Sequence, residues 1–383
     1  MRTICVVITA RPSYSRIKTV MDAIIKHKEL KLQLIVMGSA LLDKYGSVVD
    51  FIEKDGFKIN NKIHTIVEGQ ELTSMPKSTA LGLLEITTVF ENLRPDIVVT
   101  IADRYETIAT AIAASYMNIP LAHIQGGEVT GSIDEKVRHA VTKLSNFHFA
   151  STKLAGKRIR KMGENPSDIY VTGCPSMDLT MEVVINHKLD FDPIVKYGGV
   201  GSEIDLTGDY IVVLQHPVTT EYDKAGKHVL ETLQAVAKLN LPTIWLWPNI
   251  DAGSDDTSGE IRSFREEISP QNIYFMKNMS SVDFLKLLKN SSCIVGNSSV
   301  AIRECSFMGV PAINIGTRQQ SRERGKNVIN VNYSSIEIEE AILIQINNKK
   351  CKKDNIYGTG DAGEKIADIL SRVDLKIEKR LTY

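Results

Sequence analysis

An excess of charge of either sign is absent: 46 Lys and Arg balance 46 Asp and Glu, so no global field draws the chain to nucleic acid or to an anionic membrane. Any anion it binds must be held by a local site. Long apolar runs are also missing. The N-terminal one, Ile4–Ile8, is far shorter than a signal-peptide core or the roughly 20 residues that cross a bilayer, so a cytoplasmic protein without membrane contact is expected. The five cysteines (Cys5, Cys174, Cys293, Cys305 and Cys351) are scattered and form no CxxC pair. That argues against a disulfide framework and against zinc, and no metal is expected. The phosphate-binding GxxxxGK[ST] loop is absent too.

What is present is an ordinary globular composition, 43% hydrophobic and 24% charged, on a chain of 383 residues. That length exceeds one ordinary core and predicts two domains. Short apolar runs (Ile4–Ile8, Leu32–Met37, Asp96–Ile101, Pro120–His123) alternate with helical patterns at Ser15–Lys26, Val48–Asp55, Ser78–Leu93 and Glu106–Tyr116. Strands without period-two polarity predict a parallel sheet covered on both faces. The pattern fades between Val183 and Asp209, then resumes with strands at Tyr210–Leu214, Thr243–Trp247, Ile273–Phe275, Cys293–Val295 and Ala312–Ile315. Two doubly wound α/β domains are therefore expected, residues 1–185 and 186–362, with an interdomain cleft. A helix from Gly363 to Val373, within a 363–383 tail, would return to the first. The Gly198–Gly201 run reads as a flexible loop.

In open parallel sheets, ligands sit beyond the carboxyl ends of the strands. Gly296-Asn297-Ser298-Ser299 follows one strand and precedes a helical pattern at Ala301–Phe307, a junction that suits an anion or a plain serine cap. Glu304, one turn on, could accept ribose hydroxyls or merely complement a helix dipole. Gly316-Thr317-Arg318-Gln319-Gln320-Ser321-Arg322-Glu323-Arg324 offers three guanidinium forks for phosphate, or a solvated basic loop. Asp103-Arg104 follows a buried strand, as a functional pair or a helix cap. In the stretch from His123 to Glu135, two glycines let backbone approach a ligand, and Ser132 with Glu135 forms a capping box. Asp134 and Arg138 could simply pair on the surface, which leaves Glu128 in its Gly-rich turn unexplained. His216, after a strand in LQHPVTTE, points to a predicted cleft or is a structural histidine.

The segments HIQGGEVTGSIDEKVRHAVTKL, LQHPVTTE, WPNIDAGS and GNSSVAIRECSFMGVPAINIGTRQQSRERGKNV resemble, nearly full length and in order, the hydrolysing UDP-N-acetylglucosamine 2-epimerases of sialic-acid pathways. RPSYSRIK and MGSALLDKYG fit the same pattern. The resemblance implies a GT-B-like fold of two Rossmann-like domains and no bound cofactor. Its partners would be a UDP-sugar and UDP, and its assembly a homodimer or homotetramer. It assigns diphosphate binding to Ser298, Ser299 and Arg318 and the ribose to Glu304. Arg11, Ser15, Arg104 and Asn249 become substrate-binding, and Asp103, Asp134 and His216 catalytic. Two departures stand out. Gln125 occupies a position where relatives often carry Glu and cannot exchange a proton, which leaves Glu128 as the nearby carboxylate. Ala40 replaces a histidine found in some relatives. The implied reaction expels UDP, removes the C2 proton to give a glycal, reprotonates C2 on the opposite face and adds water at C1. It requires two proton-exchanging groups.

Overall fold

The computed structural model describes residues 1–43, 47–67, 73–101, 104–130, 133–248, 253–348 and 351–382. Its β1 (Arg2–Ile8) shows how the apolar runs are used. Ile4, Val6 and Ile8 pack with Ile17, Met21 and Ile24 on one face of a sheet, while Cys5 and Val7 pack with Ile86 and Phe90 on the other. A strand covered on both faces needs apolar residues at every position, so it carries no alternation.

The chain divides into two units, Met1–Val129 with Ile133–Leu179 and Tyr357–Tyr383, and Thr180–Ile356 with Thr130–Ser132. The first holds a sheet of β1, β2 (Leu30–Met37), β3 (Asn61–Ile63), β4 (Ile97–Ile101), β5 (Leu121–Ile124), β6 (Phe147–Ala150) and β7 (Ile169–Val171). Every paired strand is parallel, in the order β3-β2-β1-β4-β5-β6-β7. Its helices are α1 (Arg11–Lys26), α2 (Val48–Lys54), α3 (Ser74–Leu93), α4 (Thr107–Tyr116), α5 (Ile133–Leu144), α6 (Lys153–Lys161) and α7 (Ser176–Ile185), which leads out of it. α1 starts four residues before the sequence pattern because Pro12 sits in its first turn, where a missing N–H costs nothing.

The second unit contains α8 (Pro193–Tyr197), β8 (Val200–Gly201), β9 (Ile211–Leu214), α9 (Ala225–Leu239), β10 (Thr243–Leu246), α10 (Ser254–Ile268), β11 (Ile273–Met276), α11 (Ser281–Asn290), β12 (Cys293–Gly296), α12 (Glu304–Met308), β13 (Ala312–Ile315), β14 (Val328–Val331) and α13 (Ser335–Asn347). The sheet order is β14-β13-β12-β9-β10-β11-β8, parallel except for β8. The Gly198–Gly201 run, expected as a flexible loop, thus contains the edge strand Val200–Gly201. A Cβ at Gly199 would lie 2.3 Å from the Phe275 carbonyl, and one at Gly201 2.5 Å from that of Ile273, so only glycine permits the pairing. The chain ends with α14 (Ala362–Arg372), whose Ile366 and Leu370 join the core beside α1, while Asp178 accepts the backbone N–H groups of Ala362 and Gly363 at 2.9 and 2.7 Å.

The parallel strands of each sheet begin at a central strand, β1 or β9, and wind outward in both directions, with the antiparallel β8 added at the edge of the second. The reversal points lie between β1 and β4 and between β9 and β12, where the carboxyl ends leave a crevice in a doubly wound sheet.

Candidate functional site

The structure places the candidate side chains of the first unit just beyond β1, β4 and β5. Arg11 opens α1, and Ser15 lies one turn on, its hydroxyl donating to the Pro12 carbonyl at 3.1 Å. Ala40 lies in a short turn after β2, fully buried, its N–H donating to the Thr9 carbonyl at 3.2 Å. Beyond β4, Arg104 approaches the buried Glu106 carboxylate at 3.5 Å and lies 5.4 Å from the centre of the Tyr105 ring. Burial and then Glu106 push the Tyr105 phenol above its ordinary range. Asp103 lies outside the described residues.

The turn after β5 is built to a tight specification. Gln125 sits in the left-handed region at φ 68°, with its N–H on the Phe149 carbonyl at 3.0 Å and its buried amide donating to Cys174 Sγ at 2.9 Å. Gly127, at φ 73°, leaves no room for a Cβ, which would stand 2.3 Å from the Ala155 carbonyl. Glu128 is buried, and its carbonyl accepts from Arg138 at 2.9 Å. Arg138 is 1% exposed and also reaches Glu135 at 3.2 Å, so the surface pairing of Arg138 is overturned: the guanidinium lies inside, tying the Gly-rich turn to α5. Glu135 serves Arg138 and also His139, at 2.8 Å. Ser132 of the expected capping box lies outside the described residues. Asp134 falls in the first turn of α5, partly exposed.

In the second unit, β9 and β12 end side by side. Gly296 is obligatory there: at φ 138° its Cβ would stand 2.1 Å from the Leu214 carbonyl. The next residue, Asn297, is fully buried and bonds both backbone groups of His216. Ser298 caps a single 3₁₀ turn, Ser299–Ala301, by accepting from the Val300 N–H at 3.4 Å. The helical pattern expected over Ala301–Phe307 is therefore broken. Only Glu304–Met308 is α-helical, because the chain turns at Arg303, whose guanidinium reaches back to the Ser299 hydroxyl at 2.7 Å. A five-residue helix supplies little dipole to an anion here.

Glu304 is buried, and its Oε2 has no hydrogen-bond partner among the described residues. Such an oxygen can accept a ligand hydroxyl. The basic loop after β13 is not uniformly outward-facing. Arg322 is buried on the Gln319 side chain at 2.8 Å, and Arg324 bonds the Gln319 carbonyl, so both hold the loop in shape. Arg318 and Gln319 donate to the Asn297 carbonyl at 3.3 and 3.0 Å, which brings Arg318 beside the serines. Arg303 and Gln319 were not singled out from sequence. The available signal was the four-residue spacing of Ser299 and Arg303. Asn249 lies outside the described residues.

A cavity of about 510 Å³ in the first unit lies elsewhere, against residues before β6 and β7, lined by His148, Glu164, Asp168, Lys376, Lys379 and Arg380. The side chains that chemistry would need are at the opposite strand ends.

A family model described as UDP-N-acetylglucosamine 2-epimerase matches residues 22–371. The chain is 32% identical to the UDP-N,N'-diacetylbacillosamine 2-epimerase (hydrolyzing) of Legionella pneumophila, over 98% of this chain and 97% of that one. It is 28% identical to the UDP-N-acetylglucosamine 2-epimerase of Neisseria meningitidis serogroup B, over 97% and 95%. The crystal structure of a Neisseria meningitidis UDP-GlcNAc 2-epimerase bound to UDP-GlcNAc superimposes with a TM-score of 0.80 at 19% identity, covering 96% of this chain and 99% of that one. The two seven-stranded α/β domains are thus of the GT-B-like kind found in these enzymes. By sequence and by fold, this chain belongs to the UDP-N-acetylglucosamine 2-epimerase family.

Proposed function

We propose that the chain is a hydrolysing 2-epimerase that converts UDP-N-acetylglucosamine and water to UDP and N-acetylmannosamine, as in sialic-acid-type sugar biosynthesis. The observation that carries the reading is Glu128, a carboxylate buried in a Gly-rich turn at a strand's carboxyl end, with its backbone pinned by Arg138 to the helix that bears Asp134. A glycosyltransferase of the same architecture has no use for proton exchange at C2.

The C2 hydrogen of an acetamido sugar is a poor acid. Breaking the C1–O bond first sends its electron pair onto UDP and builds positive charge at C1, which acidifies C2–H. In this reading Ser298, Ser299 and Arg318 stabilise the departing diphosphate, with Arg303 oriented behind Ser299. The unpartnered Glu304 oxygen takes a ribose hydroxyl. Arg11, Ser15, Arg104 and Asn249 bind the rest of the substrate. A carboxylate among Asp103, Glu128 and Asp134 removes the C2 proton to leave the glycal. A second group of this set, or His216, delivers a proton to the other face as water adds to C1. Gln125 takes no part in proton exchange, since an amide has no proton to give at neutral pH. Residues 1–185, with the 363–383 tail packed back on them, would carry the catalytic carboxylates, and residues 186–362 the UDP site.

A second substrate is favoured by the 32% identity to the Legionella pneumophila enzyme: the UDP-2,4-diacetamido-trideoxy sugar named for that relative. NMR of products from the two nucleotide sugars, assayed side by side, tests both readings. The proposal expects free N-acetylmannosamine and UDP from UDP-N-acetylglucosamine, turned over faster than the diacetamido sugar. A reversed preference establishes the second substrate, and UDP-N-acetylmannosamine as the product overturns hydrolysis.

A further inference from the structure

Three loops at the carboxyl ends of β9, β13 and β14 are joined in a ring of contacts that none of the roles above uses. Glu221 lies five residues beyond His216, inside the 3₁₀ segment Thr219–Lys224, and its backbone leaves helical geometry at φ −133°, ψ 26°. Its Oε1 accepts the Thr317 hydroxyl at 2.6 Å, across 96 residues of sequence. A hydroxyl donating to a carboxylate at that distance is a strong, charge-assisted bond. Thr317 immediately precedes Arg318. The other oxygen, Oε2, faces His228 Nδ1 at 3.7 Å, beyond hydrogen-bond reach. The His228 ring is stacked on Tyr333, with centroids 3.5 Å apart and planes within 5°. Tyr333 in turn lies against Gly316, where a Cβ would stand 2.2 Å from the phenol ring. Gly316 is at φ 70°, so the ring closes only around a glycine. The void among Gln215, His216, Pro217, His228 and Tyr333 holds about 10 Å³, which excludes anything larger than a water. The cluster is a strut, not a pocket.

We propose that Glu221 is a positioning residue: through Thr317 it fixes the loop that presents Arg318, and through its own backbone it ties that loop to the one bearing His216. The proposal rests on the reading of Arg318 as a diphosphate ligand. Without the carboxylate, Thr317 loses its anchor and the Arg318 loop keeps only its bonds to the Asn297 carbonyl, so part of its ordering falls to UDP and the loss is read in nucleotide affinity and KM before kcat.

The full chain and its E221A, E221Q, T317V and E221A/T317V variants are compared by UDP titration calorimetry, steady-state kinetics and thermal melting. UDP Kd and KM are expected to rise about tenfold in E221A and in T317V, the scale of one charge-assisted hydrogen bond. The double variant should be no weaker than the poorer single one, because both remove the same bond. E221Q should recover most of the loss, since its amide oxygen still accepts the Thr317 hydroxyl. A UDP Kd within twofold of wild type in E221A, or additive losses in the double variant, overturns the strut. So does an E221Q loss as large as that of E221A, accompanied by an equal fall in Tm. Wild-type protein that binds UDP yet releases no C2-inverted sugar contradicts the proposed reaction alone, because the affinity comparison still reads the strut. Wild-type protein that fails to bind UDP overturns both.

Discussion

Asn297 and His216 hold each other through backbone-directed hydrogen bonds: the His216 N–H donates to Asn297 Oδ1 at 2.8 Å, and Asn297 Nδ2 donates to the His216 carbonyl at 2.8 Å. The pair joins the ends of β9 and β12 at the point where the second sheet reverses. An amide is required, since one side-chain oxygen must accept while a nitrogen donates. Asn297→Asp keeps the shape and loses the donor, placing a fully buried carboxylate against a carbonyl. We predict a loss of about 2 kcal/mol in stability, or more, together with a fall in kcat as His216 loosens. Urea unfolding and steady-state kinetics check both; unchanged kcat would separate the pair from the chemistry.

Ser299 accepts a hydrogen bond from the buried Arg303, and a hydroxyl that accepts can also donate to a ligand. Ser299→Ala should therefore weaken UDP about tenfold. Arg303→Lys should weaken it as well, although charge is kept, because an ammonium on a shorter reach does not reproduce the guanidinium fork. Calorimetry with UDP reads both effects. A charge-only role predicts no loss in the lysine variant.

Glu128→Gln removes a proton acceptor and leaves the Arg138 bond to its carbonyl in place. Turnover should fall by about 10² to 10⁴, the usual range for general acid–base groups, while UDP binds as before. Asp103→Asn and Asp134→Asn should behave similarly. A variant that loses UDP affinity in step with turnover would point to a binding role.

Glu164 sets an acid limit on stability. Burial alone would raise its pKa, but His148 at 3.0 Å, Lys143 at 2.5 Å and Lys379 at 2.6 Å outweigh burial and hold it at about 2, against an ordinary 4.5. A carboxyl depressed on folding stabilises the native state above its unfolded pKa, and the contribution fades as pH falls from about 4.5 towards 2. The gain is on the order of 3 kcal/mol at neutral pH, offset in part by the Lys379 ammonium, which burial pushes down. Glu164→Gln should lower Tm at pH 7 and flatten the wild-type decline below pH 4.5. An equally steep acid decline in the variant would assign that decline to other carboxylates.

The strands buried on both faces were legible because continuous apolar runs have no other use here: Ala312–Ile315 was read to the residue, and β1, β2 and β4 within two residues at either end. β3, β6, β7 and β14 are not read from the sequence. They have only three or four residues, and Lys62, His148 and Tyr170 interrupt the apolar pattern of the first three. The same physics limits the candidate sites. Strand ends locate Ser298, His216 and Arg318, since a residue following a buried strand must emerge at its carboxyl end. The inward turns of Arg138 and Arg322 leave no periodic signal, because one guanidinium is held by the Glu128 carbonyl outside its own helix and the other by Gln319 in an irregular loop; Arg303 leaves only its four-residue spacing from Ser299.

The most direct test of the proposed reaction is turnover of UDP-N-acetylglucosamine in heavy water, with mass spectrometry and NMR of the released sugar. The account predicts free N-acetylmannosamine carrying one deuterium at C2 for each UDP formed. A free sugar that keeps its original hydrogen at C2, or an inverted sugar still attached to UDP, would contradict it.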